Sequence, residues 1–395
     1  MRARNHRVVT AAAALALAAT MIGTFSASGA ATLPHGGITV KSFTSNFAAM
    51  KLLRSITSAG SGGIGVILPD EVSSTRYVEF DAPDIRRAFL AAGLPSKDLT
   101  IQNALGVDAT EITDAQAMIT AGDKVIIVDP LDAPTGVTIE NDAKKAGVKT
   151  IDYDRLTLGG SRTYYVSFNN VYVGTLLGKG LQSCVAAWKV ANPKVIVMAG
   201  AATDNNATLF SQGYNAVLNP LFASHKWTKE AAPAGTWTPS VALTEFQQAY
   251  TAHHTSNALL SPNDENAAPI ISYLQTQHVK PGTFPITGQD ATLTGLQNMI
   301  RNYQCGTVYK PIFLEAQGAA ALALFLRAGK PVPAGLSNGT VQDTVSHVKV
   351  PSVLMTPEWV TPQTLESTII KDGFVTAKVL CTTHYAKRCA VYGIH

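Results

Sequence analysis

Polar side chains gather directly after six short apolar runs of this 395-residue chain. Asp70 and the string Ser73-Ser-Thr-Arg76-Tyr77 follow Ile64–Leu68, and Asp154-Arg155 follow Val148–Tyr153. Asp204-Asn-Asn206 follow Val195–Gly200, Asn263-Asp264 follow Ala258–Ser261, Gln289-Asp290 follow Pro285–Gly288, and Lys310 follows Thr307–Tyr309. Taken singly, an Asp or Asn after a strand is a turn or helix-cap residue, and an Arg is a solvated charge. The case rests on six run ends having the same character. The Asp204-Asn-Asn206 cluster offers acceptors and donors without a nucleophile or a base, which suits a polyhydroxylated ligand. Each hydroxyl of such a ligand both donates and accepts. Carboxylates and amide oxygens take its proton, while Arg76, Arg155, Lys310 and the Asn206 and Asn263 amides donate to its oxygen. The apolar C–H faces of a sugar ring stack on aromatic rings. Tyr77 and Trp237 are available for that, Trp237 within the loop Pro233-Ala-Gly-Thr-Trp237-Thr-Pro.

Enzymatic chemistry has little to hold. There is no Gly-x-Ser-x-Gly elbow and no His-Glu-x-x-His helix. Asp204 and Asp290 could flank a glycosidic bond, but neighbouring Asn, Arg and Lys keep both ionised, which suits accepting hydrogen bonds better than giving protons. Gly60-x-Gly62-x-x-Gly65 precedes an apolar run instead of following one, so it is no dinucleotide loop.

What must position these residues is an alternation of strands and helices. Short β-branched runs such as Lys194-Val-Ile-Val-Met read as strands buried on both faces of a parallel sheet. Further strands are expected at Leu99–Gln102, Lys124–Val128 and Tyr164–Phe168. Helical patterns over 114–121, 141–146, 171–187, 241–252 and 267–278 separate the strands, implying βαβ units. So many strands divide better between two sheets than in one. In open α/β sheets ligands bind beyond the carboxyl ends of the strands, where the polar clusters stand. The segment from Pro331 to His395 is rich in Pro, Thr and Asn; the sequence gives it little structure, though it could wrap back across both domains.

The first thirty residues read as a secretory leader: three arginines, an apolar Ala-rich run, and Ser28-Gly29-Ala30 as a small-x-small cleavage site. Residues 31–62 form a tail with one short helix around Phe47–Ile56. Without the leader's three arginines, 28 basic residues face 27 acidic ones, which argues against a nucleic-acid partner. Cys184, Cys305, Cys381 and Cys389 are an even set for a secreted chain, so disulfides are expected, with Cys381–Cys389 closing a short loop and Cys184–Cys305 then remaining. Three connectivities are formally open. No zinc spacing appears, and no metal or cofactor is expected.

The chain resembles the periplasmic sugar-binding proteins of ABC importers, of type I fold, above all their D-xylose-binding branch. The resemblance is carried by Tyr153-Asp-Arg155, Ser167-Phe-Asn-Asn170 leading to Val173-Gly174, Asp204-Asn-Asn-Ala-Thr-Leu-Phe210, Ser261-Pro-Asn-Asp264, Gly288-Gln-Asp290, Thr307-Val-Tyr-Lys-Pro311 and Ile370-Lys-Asp-Gly-Phe374. It implies sugar contacts at Arg76, Arg155, Asp204, Asn206, Asn263, Asp290 and Lys310, with stacking on Tyr77 and Trp237. Tyr77 stands where the family has Trp or Phe, and Asn169 where it commonly has Asp. The implied fold is two doubly wound parallel-sheet domains joined by three hinge strands. The chain would cross near Phe168, Lys310 and residue 345, giving an N-terminal lobe of 63–168 plus 311–343 and a C-terminal lobe of 169–310 plus 344–395. The implied function is a monomeric, extracytoplasmic receptor that closes on a monosaccharide, xylose first, and delivers it to a membrane permease. The alternative is a sensory protein that reports the sugar to a chemoreceptor or kinase.

Overall fold

Alternating side chains of the central strands belong to two different cores, which is what a sheet covered by helices on both faces requires. A computed structural model describes residues 37–395; the leader expected over 1–30 and the first residues of the tail lie outside the described residues. The strands are β1 (Ile64–Leu68), β2 (Leu99–Asn103), β3 (Val125–Val128), β4 (Lys149–Tyr153), β5 (Tyr164–Phe168), β6 (Lys194–Val197), β7 (Thr228–Ala231), β8 (Ala258–Leu260), β9 (Thr307–Tyr309), β10 (Gly339–Gln342), β11 (Lys349–Met355) and β12 (Glu358–Val360). The first sheet has the order β10-β11-β5-β4-β3-β1-β2 and is parallel except at β10. Ile64, Val66 and Leu68 of β1 join one core with the helices Ala82–Ala91 and Ile312–Arg327; Ile67 joins another with Asp108–Ala121 and Ala133–Lys145.

The second lobe repeats the plan. β7-β6-β8 are parallel, with Val195 and Val197 in the large core and Ile196 facing Phe246 and Ile270. Residues 285–288, expected as a strand, contribute isolated parallel bridges instead: Ile286 to Leu259, and next to them Gln289 to Val308. β12 then pairs antiparallel with β9. The helices Asn170–Ala187 and Asn205–Ala223 cross so closely that a Cβ on Gly174 would lie 2.0 Å from the Phe210 carbonyl oxygen, and one on Gly213 2.1 Å from that of Val171. That contact brings Asn170 onto Asn206.

Three segments differ from expectation. The described part of the tail, 37–62, is packed: Ile38, Phe43, Phe47, Met50 and Leu53 are buried in the main core, and Gln317 Nε2 donates to the Thr44 carbonyl. The residues read as the start of the C-terminal lobe's last piece include β11, which pairs with β5 in the first sheet. The C-terminal segment carries more structure than its composition suggests. Phe374 stacks on Phe80 of the first lobe at 3.8 Å, and the Tyr392 hydroxyl donates to Asn302 Oδ1 of the second at 2.7 Å. The disulfides are Cys184–Cys305, which ties the helix Asn170–Ala187 to the residues before β9, and Cys381–Cys389.

Candidate functional site

The carboxyl ends of β1, β4, β6, β8 and β9 face one another across a small cavity. All nine residues singled out from the sequence line it: Arg76, Tyr77, Arg155, Asp204, Asn206, Trp237, Asn263, Asp290 and Lys310. Asp154, Phe210, Ser73, Ser74 and Gln289 complete the wall.

Local backbone explains the convergence. Asp204 caps the helix Asn205–Ala223, accepting from the Asn206 amide at 2.8 Å, and its other oxygen accepts from Trp237 Nε1 at 3.0 Å. The indole lies over Gly200, where a Cβ would approach Cζ2 to 2.1 Å, so only glycine admits the ring there. Phe210 meets it edge to face at 6.4 Å. Asn263 caps the helix Asp264–Thr276 with Oδ1 and donates through Nδ2 to the Ser73 carbonyl of the other lobe at 3.1 Å. Asn206 Nδ2 donates to the Asp154 carbonyl, and its Oδ1 accepts from Asn170 and Tyr165.

Asp154, read from the sequence as a strand-end polar residue but not among the sugar contacts, is the hub. It accepts from Arg76 Nη1 and from the Tyr77 hydroxyl, each at 3.0 Å, and lies 3.8 Å from Lys310 Nζ. Burial alone would push its carboxyl up, yet Arg76, Lys310, Arg155 and the Tyr77 hydroxyl together hold it at about 2. Its available signal was its place in Tyr153-Asp-Arg155 at the end of β4. Burial would discharge Lys310, but Asp290 at 2.9 Å and Asp154 keep it charged, above the ordinary lysine value. Asp204 is pushed up by burial, with Arg155 opposing.

Arg76 is 1% exposed and uses four of its five N–H groups on carboxylates: two on Asp81, one on Asp154 and one on Glu315. A single Nη1 hydrogen remains. Arg155 donates to the Pro130 carbonyl, the Ser73 hydroxyl and the Tyr77 hydroxyl, and its Nε lies 3.7 Å from both Asp129 and Asp204. The guanidinium carbons of Arg76 and Arg155 sit 5.5 and 5.6 Å from the Tyr77 ring centroid. The wall is thus a charge-balanced set of donors and acceptors with three aromatic rings, fit to bind a neutral polyol.

Two doubly wound lobes with such a wall between them define a solute receptor. The periplasmic binding protein domain matches residues 64–331, and the chain belongs to that family, among the sugar-binding receptors of ABC transporters. It is 34% identical over 284 residues to the D-xylose-binding periplasmic protein of Escherichia coli, covering 69% of this chain and 80% of that one. It is 28% identical to the multiple sugar-binding periplasmic receptor ChvE of Rhizobium radiobacter, covering 82% and 93%. Among solved structures, a carbohydrate transporter solute-binding protein of Chloroflexus aurantiacus in complex with D-glucose superposes with a TM-score of 0.71 at 26% identity, covering 80% of this chain and 97% of that one. These relatives are receptors of extracytoplasmic solutes and not enzymes.

Proposed function

We propose that this protein is a secreted, monomeric receptor that captures D-xylose or a close aldose between its lobes and hands it to an ABC permease. The observation that carries this reading is the convergence of all nine sequence-selected residues on one cavity at the strand ends. The named ligand of the Escherichia coli relative supports xylose, while the names of the ChvE and Chloroflexus proteins support a wider range that includes glucose. In this reading Asp290, Asp204 and Asp154 accept from sugar hydroxyls, Lys310, Arg155, Asn206 and Asn263 donate to them, and Trp237 and Tyr77 hold the ring faces. Arg76 acts chiefly by fixing Asp154. Closure excludes water, so each hydrogen bond counts for more. The leader at 1–30 would be removed on export, and the lobes would be bounded near Phe168, Lys310 and the 356–357 connection.

The test is a thermal-shift panel with xylose, ribose, arabinose, glucose, galactose and inositol, because a ligand that binds only the folded state raises the melting temperature. A clear shift with xylose or one close relative, without product formation, is the expected result; a flat panel would overturn the sugar assignment. Trp237→Ala should weaken every pyranose that binds by roughly tenfold, since a stacking face contributes about 0.5–1.5 kcal/mol beyond burial and reads ring shape. Titration calorimetry that showed one sugar lost and its epimers spared would refute the stacking role.

A further inference from the structure

One hydroxyl hydrogen is shared between two carboxyl groups where the lobes meet. Ser74, on the loop after β1, places its Oγ 2.9 Å from Glu265 Oε1 and 3.2 Å from Asp290 Oδ2. Both are acceptors when ionised, and a serine has a single hydrogen to give. Both contacts are full two-centre hydrogen bonds only if one carboxyl carries a proton and donates it to Ser74 Oγ; otherwise the single hydrogen is divided between two buried acceptors. Asp290 faces Lys310 Nζ at 2.9 Å, so its charge is matched. Among the described residues Glu265 has no cation within ion-pairing distance; Oε1 accepts from the Thr75 amide at 3.0 Å, and Oε2 is buried with no partner among them.

We propose that the closed cleft holds a proton on Glu265, taken up as the lobes come together, so that sugar and proton bind as a pair. The chain of bonds then closes without conflict. Glu265 Oε1–H donates to Ser74 Oγ, Ser74 donates to Asp290 Oδ2, and the Thr75 amide donates to Glu265 Oε1. Ser74 and Thr75 belong to the first lobe, Glu265 and Asp290 to the second, so the chain exists only in the closed form. This inference rests on the reading that sugar binding closes this cleft.

The charged groups around Glu265 agree with that assignment. On its own helix stands Asp264, pushed up to about 7 by burial and by Asp290, with Gln304, Thr292 and Thr307 donating to it. On the turn after residue 288 stands Asp290 with its partner Lys310. On the opposing loop Asp70 is engaged by Ser73, and Arg76 by Asp81, Asp154 and Glu315. Burial first, then Asp290 and Asp264, push the Glu265 carboxyl well up in the closed form. With the lobes apart, Glu265 lies in the first turn of its helix facing water, where a glutamate titrates near about 4.3 and the helix dipole favours its charge. A group whose value is raised on closure favours closure fully below the open-state value. That contribution is lost as pH rises through the closed-state value.

The test is titration calorimetry of the purified protein with D-xylose in two buffers of different ionisation enthalpy, from pH 5.5 to 7.5. Uptake of about one proton per sugar at pH 7 is expected, with Kd rising with pH toward the limit of about tenfold per unit for one proton. Glu265→Gln, which mimics the protonated acid, should bind with a Kd that is flat over the same range. Heats that do not depend on the buffer, or a Glu265→Gln protein that keeps the slope, would overturn the proposal. If D-xylose gives no heat at all, the sugar assignment is what fails. Small-angle scattering of the sugar-free protein then reads closure alone. A radius of gyration that falls on acidification in wild type and not in Glu265→Gln supports the proton site, and equal values at both pH extremes refute it.

Discussion

Replacing Arg76 by alanine is expected to lower folding stability by about 3–5 kcal/mol, the cost of leaving buried charges without their partner. Urea unfolding followed by far-UV circular dichroism reads this directly. The guanidinium lies 2.7 Å from Asp81, 2.6 Å from Glu315 and 3.0 Å from Asp154, and Asp81 and Glu315 are fully buried. Asp81 also accepts from Tyr153, and Asp154 from Tyr77, but neither hydroxyl carries charge. Glu315 is pushed up to about 8 by burial, with Arg76 opposing and Asp154 and Asp81 adding, so it takes a proton readily once the arginine is gone. Asp81 and Asp154 are left to repel each other. Without Arg76, burial is left to push the Asp154 and Glu315 carboxyls up, so both hold protons more tightly folded than unfolded and the variant's stability falls as pH rises. The deficit should therefore be larger at pH 8 than at pH 5. Arg76→Lys should not restore stability, because a single ammonium cannot serve three carboxylates that a planar fork reaches from separate directions. A variant that unfolds at the wild-type urea midpoint would mean that other donors hold the cluster.

That cluster marks the limit of what the sequence discloses. Arg76 was legible as a polar residue after a strand, and its place in the wall follows from that. The partners that occupy it were not. Asp81 lies five residues on, and Glu315 is 239 residues away in the apolar helix Ile312–Arg327, where its only signal is a lone acid among alanines and leucines. Asp154 was legible as a strand-end residue beside Arg155, but its central role was not, because neighbours along a regular strand point to opposite sides. The backbone at Asp154 turns left-handed, with φ of 55°, and both side chains reach the cavity.

The strands followed the same rule. Those with β-branched cores could be read because burial on both faces demands apolar runs. β7, with the sequence Thr-Lys-Glu-Ala, is a polar edge strand, and β11 holds its place by pairing with β5 across 187 residues of chain. Neither leaves a local pattern. Glu265 belongs with these cases: next to a recognisable Ser261-Pro-Asn-Asp264 string it reads as a helix N-terminal acid, and only the contact with Ser74 gives it a second role.

Asp290→Asn should weaken sugar binding by about tenfold to a hundredfold, roughly 1.4–2.8 kcal/mol, while the fold survives. Asp290 faces the cavity beside Lys310 and accepts from Ser74. A hydrogen bond to a charged acceptor contributes about 1.5–3 kcal/mol, more than one to a neutral amide. The amide also leaves Lys310 with Asp154 alone, at 3.8 Å, so the lysine is less well placed to donate to a sugar oxygen. Asparagine is the right probe because residue 290 has φ of 88° and is followed by Ala291 at 54°. Asn, like Asp, tolerates positive φ by bonding to its own backbone, whereas alanine would add strain. Asp290→Ala would therefore mix a backbone penalty with a lost contact. Calorimetric titration with D-xylose, set beside the urea midpoint of the same variant, separates the two. A lost midpoint with an unchanged Kd would mean that Asp290 serves the turn and not the sugar.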